Sequence, residues 1–271
     1  MPAGAKGGGS MERVTSADGT SIAFERGGSG PALVVVNGAL SVGTTSNALG
    51  PVLEPRFTLV RYDRRGRGAS GDGAAYAPER EIEDLAAVLE AVAEPGAAFV
   101  FGHSSGAILS LEAAMRGLSM QRLAVNEPPY IVEGTRPRPP LEVADELRDR
   151  IATGDREGAL RHFLVDQVGL PVPAVEQMRG SPIWPQMLAI AHTAAYDSAL
   201  TVHSEIPIER LARLSMPVLV LRGGASFPWI GETAERVAEA LPDAQLATLP
   251  DQPHSPAPEV LARELVRFFL G

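Results

Sequence analysis

Six short apolar runs recur along this chain, each too brief for a globular helix and rich in β-branched residues: ALVVVNG (32–38), FTLVRYD (57–63), AAFVFGH (97–103), RLAVNE (122–127), PVLVLRGG (217–224) and AQLATLP (244–250). Runs that are continuously apolar, rather than alternating, suit strands buried on both faces. Segments of helical period lie between several of them, at 79–93, 106–116, 232–240 and 258–270. Strands alternating with helices build βαβ units, so the expected fold is α/β, a mostly parallel sheet flanked by helices. A short extended pair at 11–26 precedes the first run.

The alternation breaks once, between Tyr130 and about Arg213, where helix-like stretches occur without a convincing strand. Prolines at 137, 139, 140, 171, 173, 182 and 185 punctuate this stretch, which argues for short helices joined by stiff turns. The reading is one domain with a helical cap inserted at 131–213 and a core formed by 11–130 and 214–271. The Gly-rich start, residues 1–10, is read as a flexible leader ahead of a second methionine, Met11, and is set aside.

Composition narrows the function classes. The formal net charge is −9 and the 24 Lys and Arg form no basic run, so nucleic acid is not an expected partner. Absence of cysteine excludes disulfides, thiolate catalysis and thiolate metal sites, and makes cytoplasmic residence the default, with secretion left open. No stretch reaches the roughly 18 apolar residues that span a bilayer. No two histidines have the spacing of a helical metal pair, so neither metal nor cofactor is expected. Assembly of identical copies stays open.

Directly after AAFVF stands Gly102-His103-Ser104-Ser105-Gly106, and a helical pattern follows at once. A G-x-S-x-G sequence between strand and helix places its serine on a strained turn, exposed at the sheet edge and next to a helix N-terminus. Ser104 is therefore the candidate nucleophile. Ser105 competes within the motif, but the flanking glycines centre on Ser104. Two backbone N–H groups are expected to bind a developing oxyanion: that of Ser105 and that of Ala39, in the Asn37-Gly38-Ala39 turn where Gly38 lets the chain bend toward the site. His254 is the candidate general base, because it follows the last strand on a short loop and precedes the final helix. His103 lies inside the turn itself, and His162, His192 and His203 fall in the cap.

With these residues the chain resembles the α/β-hydrolase superfamily from Val14 onward. Tyr62-Asp63-Arg64-Arg65-Gly66-Arg67-Gly68-Ala69-Ser70 is similar to that family's D-x-R-G-x-G-x-S loop with an extra arginine. The resemblance implies a triad acid after the penultimate strand, but Leu221-Arg222-Gly223-Gly224-Ala225-Ser226 puts Ala225 where the aspartate is expected. Some members carry the acid after the strand that follows the nucleophile helix, here Asn126-Glu127-Pro128-Pro129, which makes Glu127 the candidate. A glutamate ending an apolar strand also needs a partner to be tolerated. Asp251, on the loop of His254, is the weaker alternative, and Asp63 is expected to brace its arginine-rich loop. The combination of Ser104-Ser105-Gly106-Ala107, Glu127 and Gly224-Ala225 resembles fungal zearalenone lactonases, which use a Ser-Glu-His triad. Pro182-Ile183-Trp184 resembles their segment with a pocket tryptophan. Trp184 is thus either an expected substrate contact or a packed cap aromatic, and Gly38, His103 and Trp229 are further expected contacts.

The expected function is hydrolysis of a small-molecule carboxylic ester or lactone with a moderately large apolar body, through an acyl-enzyme. Two alternatives stay open: another reaction on the same site (C–C cleavage, acyl transfer, lyase or cyclisation chemistry), and a ligand-binding protein without turnover.

Overall fold

The computed structural model describes residues 10–203 and 205–271. The leader falls almost wholly outside them. Eight strands form one sheet: β1 (Glu12–Thr15), β2 (Ser21–Gly28), β3 (Ala32–Val36), β4 (Thr58–Tyr62), β5 (Phe99–His103), β6 (Arg122–Asn126), β7 (Val218–Gly223) and β8 (Ala244–Leu249). Their order is β1-β2-β4-β3-β5-β6-β7-β8. β1 and β2 pair antiparallel with each other, β2 pairs antiparallel with β4, and all remaining pairs are parallel. This is the α/β-hydrolase fold, with the expected extended pair forming its antiparallel edge.

The period-2 geometry of a strand explains why the central runs are apolar throughout. Val34, Val36, Val60 and Val100 point to one side, against helices α2 (Pro78–Val92) and α3 (Ser105–Met115). Leu33, Val35, Leu59, Phe99 and Phe101 point to the other, where α1 (Gly50–Leu53) and the C-terminal helix supply Leu53, Leu261, Leu265 and Phe269. A 3₁₀ segment, Gly43–Leu49, and α1 join β3 to β4, and the apolar periodicity carried no sign of either. β8 departs from the expectation of a strand buried on both faces. It is the sheet edge, and Leu246 is 41% exposed.

Between β6 and β7 the described residues hold helices only: α4 (Val143–Ala152), α5 (Arg156–His162) running into a π turn at Phe163–Gln167, α6 (Val172–Arg179), α7 (Ile183–Ala189), α8 (Ala194–Thr201) and α9 (Ile208–Leu211). Val143, Leu147, Leu160, Phe163, Trp184 and Met187 give this insertion a cluster of its own, against which Ala39 and Leu40 pack. Helices α10 (Ile230–Ala240) and α11 (Pro258–Leu270) complete the chain. No described helix is long and apolar enough to cross a membrane.

Candidate active site

In parallel α/β sheets, ligands collect at the carboxyl ends of strands where connections diverge to opposite sides. Here that point lies between β3, whose chain continues to β4 on one side, and β5, its neighbour on the other. Backbone strain marks the same edge. The four non-glycine residues with positive φ among the described residues are Leu40, Ser104, Glu127 and Asp251, at φ 54°, 55°, 50° and 57°, and they follow β3, β5, β6 and β8. Each costs of order 1–3 kcal/mol relative to a relaxed conformation, and such strain persists only where the surroundings over-determine it.

The Ser104 turn shows why its neighbours are small. A Cβ on Gly102 would sit 2.6 Å from the Gly106 carbonyl oxygen and 2.7 Å from Ser110 Oγ, and one on Gly106 would collide with the Val36 carbonyl oxygen. Gly38 is almost as tight, with Ser104 Cβ 3.1 Å from its would-be Cβ. The β3 turn and the serine turn are therefore packed together backbone against backbone. Ser104 adopts φ 55°, ψ −123°, immediately before α3, and lines the central cavity. Ser105, its competitor in sequence, is 3% exposed, and its hydroxyl donates to Asp197 Oδ1 at 2.8 Å and accepts from Arg64 Nη1 at 3.2 Å.

Glu127 is fully buried. Its Oε1 accepts the Gly223 N–H at 2.6 Å, and its Oε2 accepts the Ser226 hydroxyl at 2.7 Å and lies 2.5 Å from His254 Nδ1. The carboxylate thus reaches across to the end of β7, where Ala225 stands, and holds the imidazole that follows β8. Asp251 is exposed on the same loop and makes no such bond. Asn126, also fully buried, ties the arrangement down. Its amide donates to the His254 carbonyl oxygen at 3.1 Å and lies 3.0 Å from His103 Nδ1. A carbonyl can only accept, so the amide nitrogen faces both partners, and His103 Nδ1 accepts, which makes His103 the neutral Nε2–H tautomer. Burial, and secondarily the charge of His254 whose ring centroid is 4.7 Å away, push the His103 imidazole down to about 3.

A second buried cluster lies beside the turn. Arg64 donates to both oxygens of Glu81, at 2.6 and 2.7 Å, to Asp197 Oδ1 at 2.9 Å and to the Asn37 carbonyl at 3.3 Å, while Arg67 takes Asp197 Oδ2 at 2.7 Å. This links the cap helix α8 to both turns of the site. Asp63 accepts the N–H groups of Gly43 at 2.6 Å and Ala69 at 2.7 Å, the bracing expected of it.

The cavity over Ser104 holds about 80 Å³ and is walled by Ala39, Phe163, Asp197, Phe227 and Trp229 among others, with His254 at its side. No hydrogen bond joins Ser104 to His254 among the described residues. Such contacts commonly tighten only in the substrate complex. Of the expected substrate contacts, Trp229 lines this cavity and Gly38 and His103 lie just behind it, but Trp184 does not line it. Trp184 is 5% exposed and packs inside the cap's own cluster, where its bulk is worth more as core than as a wall. Arg136, Gln167 and Thr201 line the cavity as well. Sequence reasoning passed over them because cap residues from three separate segments meet there only through tertiary packing. No group of three or more His, Asp or Glu among the described residues is arranged to hold a metal.

The alpha/beta hydrolase family model matches residues 33–265. The chain belongs to that family. A crystal structure of an alpha/beta hydrolase from Sphaerobacter thermophilus superposes with TM-score 0.90 at 50% identity, covering 95% of this chain and 100% of that one. Among curated proteins, 2-(acetamidomethylene)succinate hydrolase of Mesorhizobium japonicum is 25% identical over 256 residues, 89% of this chain and 88% of its own. A non-heme haloperoxidase of Rhodococcus erythropolis is likewise 25% identical, over 90% and 93%.

Proposed function

We propose that the protein is a serine hydrolase of small carboxylic esters or lactones, acting through Ser104, His254 and Glu127. The observation that carries this reading is the joint placement of a strained serine and an imidazole on one cavity, with that imidazole's far nitrogen bonded to a buried carboxylate. His254 takes the Ser104 proton as the oxygen attacks the substrate carbonyl. Glu127 fixes the tautomer that leaves Nε2 free and stabilises the imidazolium that forms. The N–H groups of Ser105 and Ala39 are the proposed oxyanion donors, supported by the close packing of their two turns. Protonated His254 then gives its proton to the leaving alcohol, and water resolves the acyl-enzyme.

The Ser-Glu-His arrangement resembles that of zearalenone lactonases. The cavity volume points elsewhere on substrate size, since drug-sized ligands occupy roughly 300–1,000 Å³ and this space is about 80 Å³. A short acyl group suits it better than a macrocycle or a large apolar body, with any bulkier alcohol projecting through the opening. The substrate of the Mesorhizobium relative, a substituted succinate, is likewise small.

The test is turnover of short-chain 4-nitrophenyl esters and small lactones by wild type and Ser104→Ala. Wild type is expected to hydrolyse them and Ser104→Ala to lose at least ~10³-fold in kcat. Equal rates for the two, with both proteins folded, would refute the assignment.

A further inference from the structure

The polar side chains that wall the cavity on the cap side can be sorted by whether their hydrogen-bonding capacity is already used. Both oxygens of Asp197 are taken by Arg64, Arg67 and Ser105. Gln167 donates to Thr201 Oγ1 at 3.0 Å and accepts from Ser198, and Thr201 donates to the Asp197 carbonyl at 2.8 Å. Arg136 is different. A guanidinium has five N–H donors, and here Nη2 donates to the Gln167 carbonyl at 2.6 Å and Nη1 reaches the Val168 carbonyl at 3.5 Å. Nε and one hydrogen on each terminal nitrogen are left over.

Its charge is left over too. Among the described residues every other arginine lining or bordering this site is paired with a carboxylate, whereas Arg136 has none within 4.0 Å. Instead the guanidinium lies over the Trp229 indole, 4.6 Å from the ring centroid. Stacking of that kind occupies the face of the group and leaves its edge, where the N–H fork lies, available in the plane. Burial alone pulls the Arg136 guanidinium below its ordinary value. A cation partly withdrawn from water without an anion is unfavourable in the empty protein, and a ligand carboxylate would relieve it.

We infer that Arg136 is the recognition site for a carboxylate on the substrate, so that the ester or lactone cleaved at Ser104 carries a second, anionic carboxyl group. This rests on the hydrolase reading for the identity of the reaction but not for the binding of the anion. Two neutral carbonyls and an aromatic platform hold the fork in place, and none of them competes for the charge. The cavity is small, which suits a short acid half-ester better than a long acyl chain.

Ethyl hydrogen succinate and ethyl 4-methylpentanoate are nearly isosteric and differ in that carboxylate, and their hydrolysis can be followed by titration of released acid. Wild type is expected to prefer the anionic ester. In Arg136→Leu the ratio of kcat/KM for anionic over neutral ester falls by ~100-fold, mostly through KM, and Arg136→Lys keeps part of it because charge survives without the planar fork. Succinate itself supplies the readout that needs no turnover: calorimetric binding to Ser104→Ala is expected, and its loss in Ser104→Ala/Arg136→Leu. A ratio unmoved by Arg136→Leu, or succinate binding that is absent or indifferent to Arg136, overturns the inference. Succinate binding that depends on Arg136 in a protein that cleaves neither ester upholds it while removing the hydrolase reading.

Discussion

Glu127 and Glu81 are buried to the same degree, 0% and 1% exposed, yet they are held in opposite ways. Glu81 receives two N–H groups of Arg64 and the Tyr76 hydroxyl, the last at 2.8 Å, so its charge is met by a permanent cation. Glu127 receives a backbone N–H, a serine hydroxyl and His254, and has no guanidinium partner. A carboxylate clamped by arginine is fixed in the structure: with Arg64 it ties the arginine-rich loop, the Ser104 turn and the cap together. One whose only ionisable partner is a part-exposed imidazole keeps the capacity to stabilise positive charge that appears on that imidazole during a reaction. The two carboxylates thus differ in whether a fixed cation already meets their charge.

Neutralising each glutamate separates the two roles most sharply. Glu127→Gln is expected to lower kcat/KM for a short ester by ~10³–10⁴-fold while leaving the urea midpoint close to wild type, because the amide oxygen can still accept from Gly223, while the NH2 in the place of Oε2 donates to the Ser226 oxygen and to His254 Nδ1 and so favours the wrong His254 tautomer. Glu81→Gln is expected to do the reverse. It leaves the Arg64 charge under-compensated and lowers stability by ~3–5 kcal/mol, while the folded fraction turns over substrate within about tenfold of wild type. Steady-state kinetics and urea unfolding on both variants decide it. Folded Glu127→Gln with wild-type rates would undo the contrast.

The same division explains what could be read from the sequence. The strand ends that carry Ser104, Glu127 and His254 were legible because a buried parallel strand has a local signature and its last residues have a fixed place, the carboxyl edge of the sheet. The elbow glycines were legible for a steric reason that the structure makes concrete in the Val36 and Gly106 carbonyls. Arg64 meets Asp197 across 133 residues, and Arg136 meets Trp229 from a proline-rich loop with no period at all. No local pattern announces such partners. Trp184 stayed open between pocket and cap core for the same reason, since an apolar aromatic in a short cap helix carries no mark of whether it faces the pocket or its neighbouring helices. β8 failed differently: its apolar run matches a central strand, and only the sheet order reveals that it lies at an edge.

Acid sensitivity offers a further separation. In the folded protein burial, then the neighbouring His254, hold the His103 imidazole at about 3 against its ordinary 6.5, so below 6.5 the unfolded chain binds a proton that the folded one refuses. Stability is therefore expected to fall as pH drops from about 6.5 toward 3, by several kcal/mol over the whole window. Burial pushes the Glu81 carboxyl up, but Arg64 and Arg67 pull it further down, to a net value below the ordinary glutamate range. Its stabilisation is present above about 4.3 and lost only at lower pH. His103→Gln should flatten the profile between about pH 6.5 and 4.5, and below that leave only the slope that carboxylates such as Glu81 contribute. Urea midpoints measured across that range check this, and an unchanged slope would show that His103 is not the group responsible.

The smallest expected effect tests how finely Glu127 is held. Ser226→Ala removes one of its three donors and leaves the Gly223 N–H and His254 in place. A hydrogen bond to a charged acceptor contributes about 1.5–3 kcal/mol, and water entering at the part-exposed serine replaces some of it, so a drop in kcat of ~3–10-fold with KM nearly constant is expected. Ser226→Thr keeps the hydroxyl and should recover most of the rate. Selectivity between anionic and neutral esters should not move, because the Arg136 guanidinium is held by the Gln167 and Val168 carbonyls and the Trp229 ring rather than by Ser226 or Glu127. If Ser226→Ala instead costs as much as Glu127→Gln, the carboxylate depends on this one hydroxyl for its orientation, and the end of β7 shares with β6 the work of holding His254.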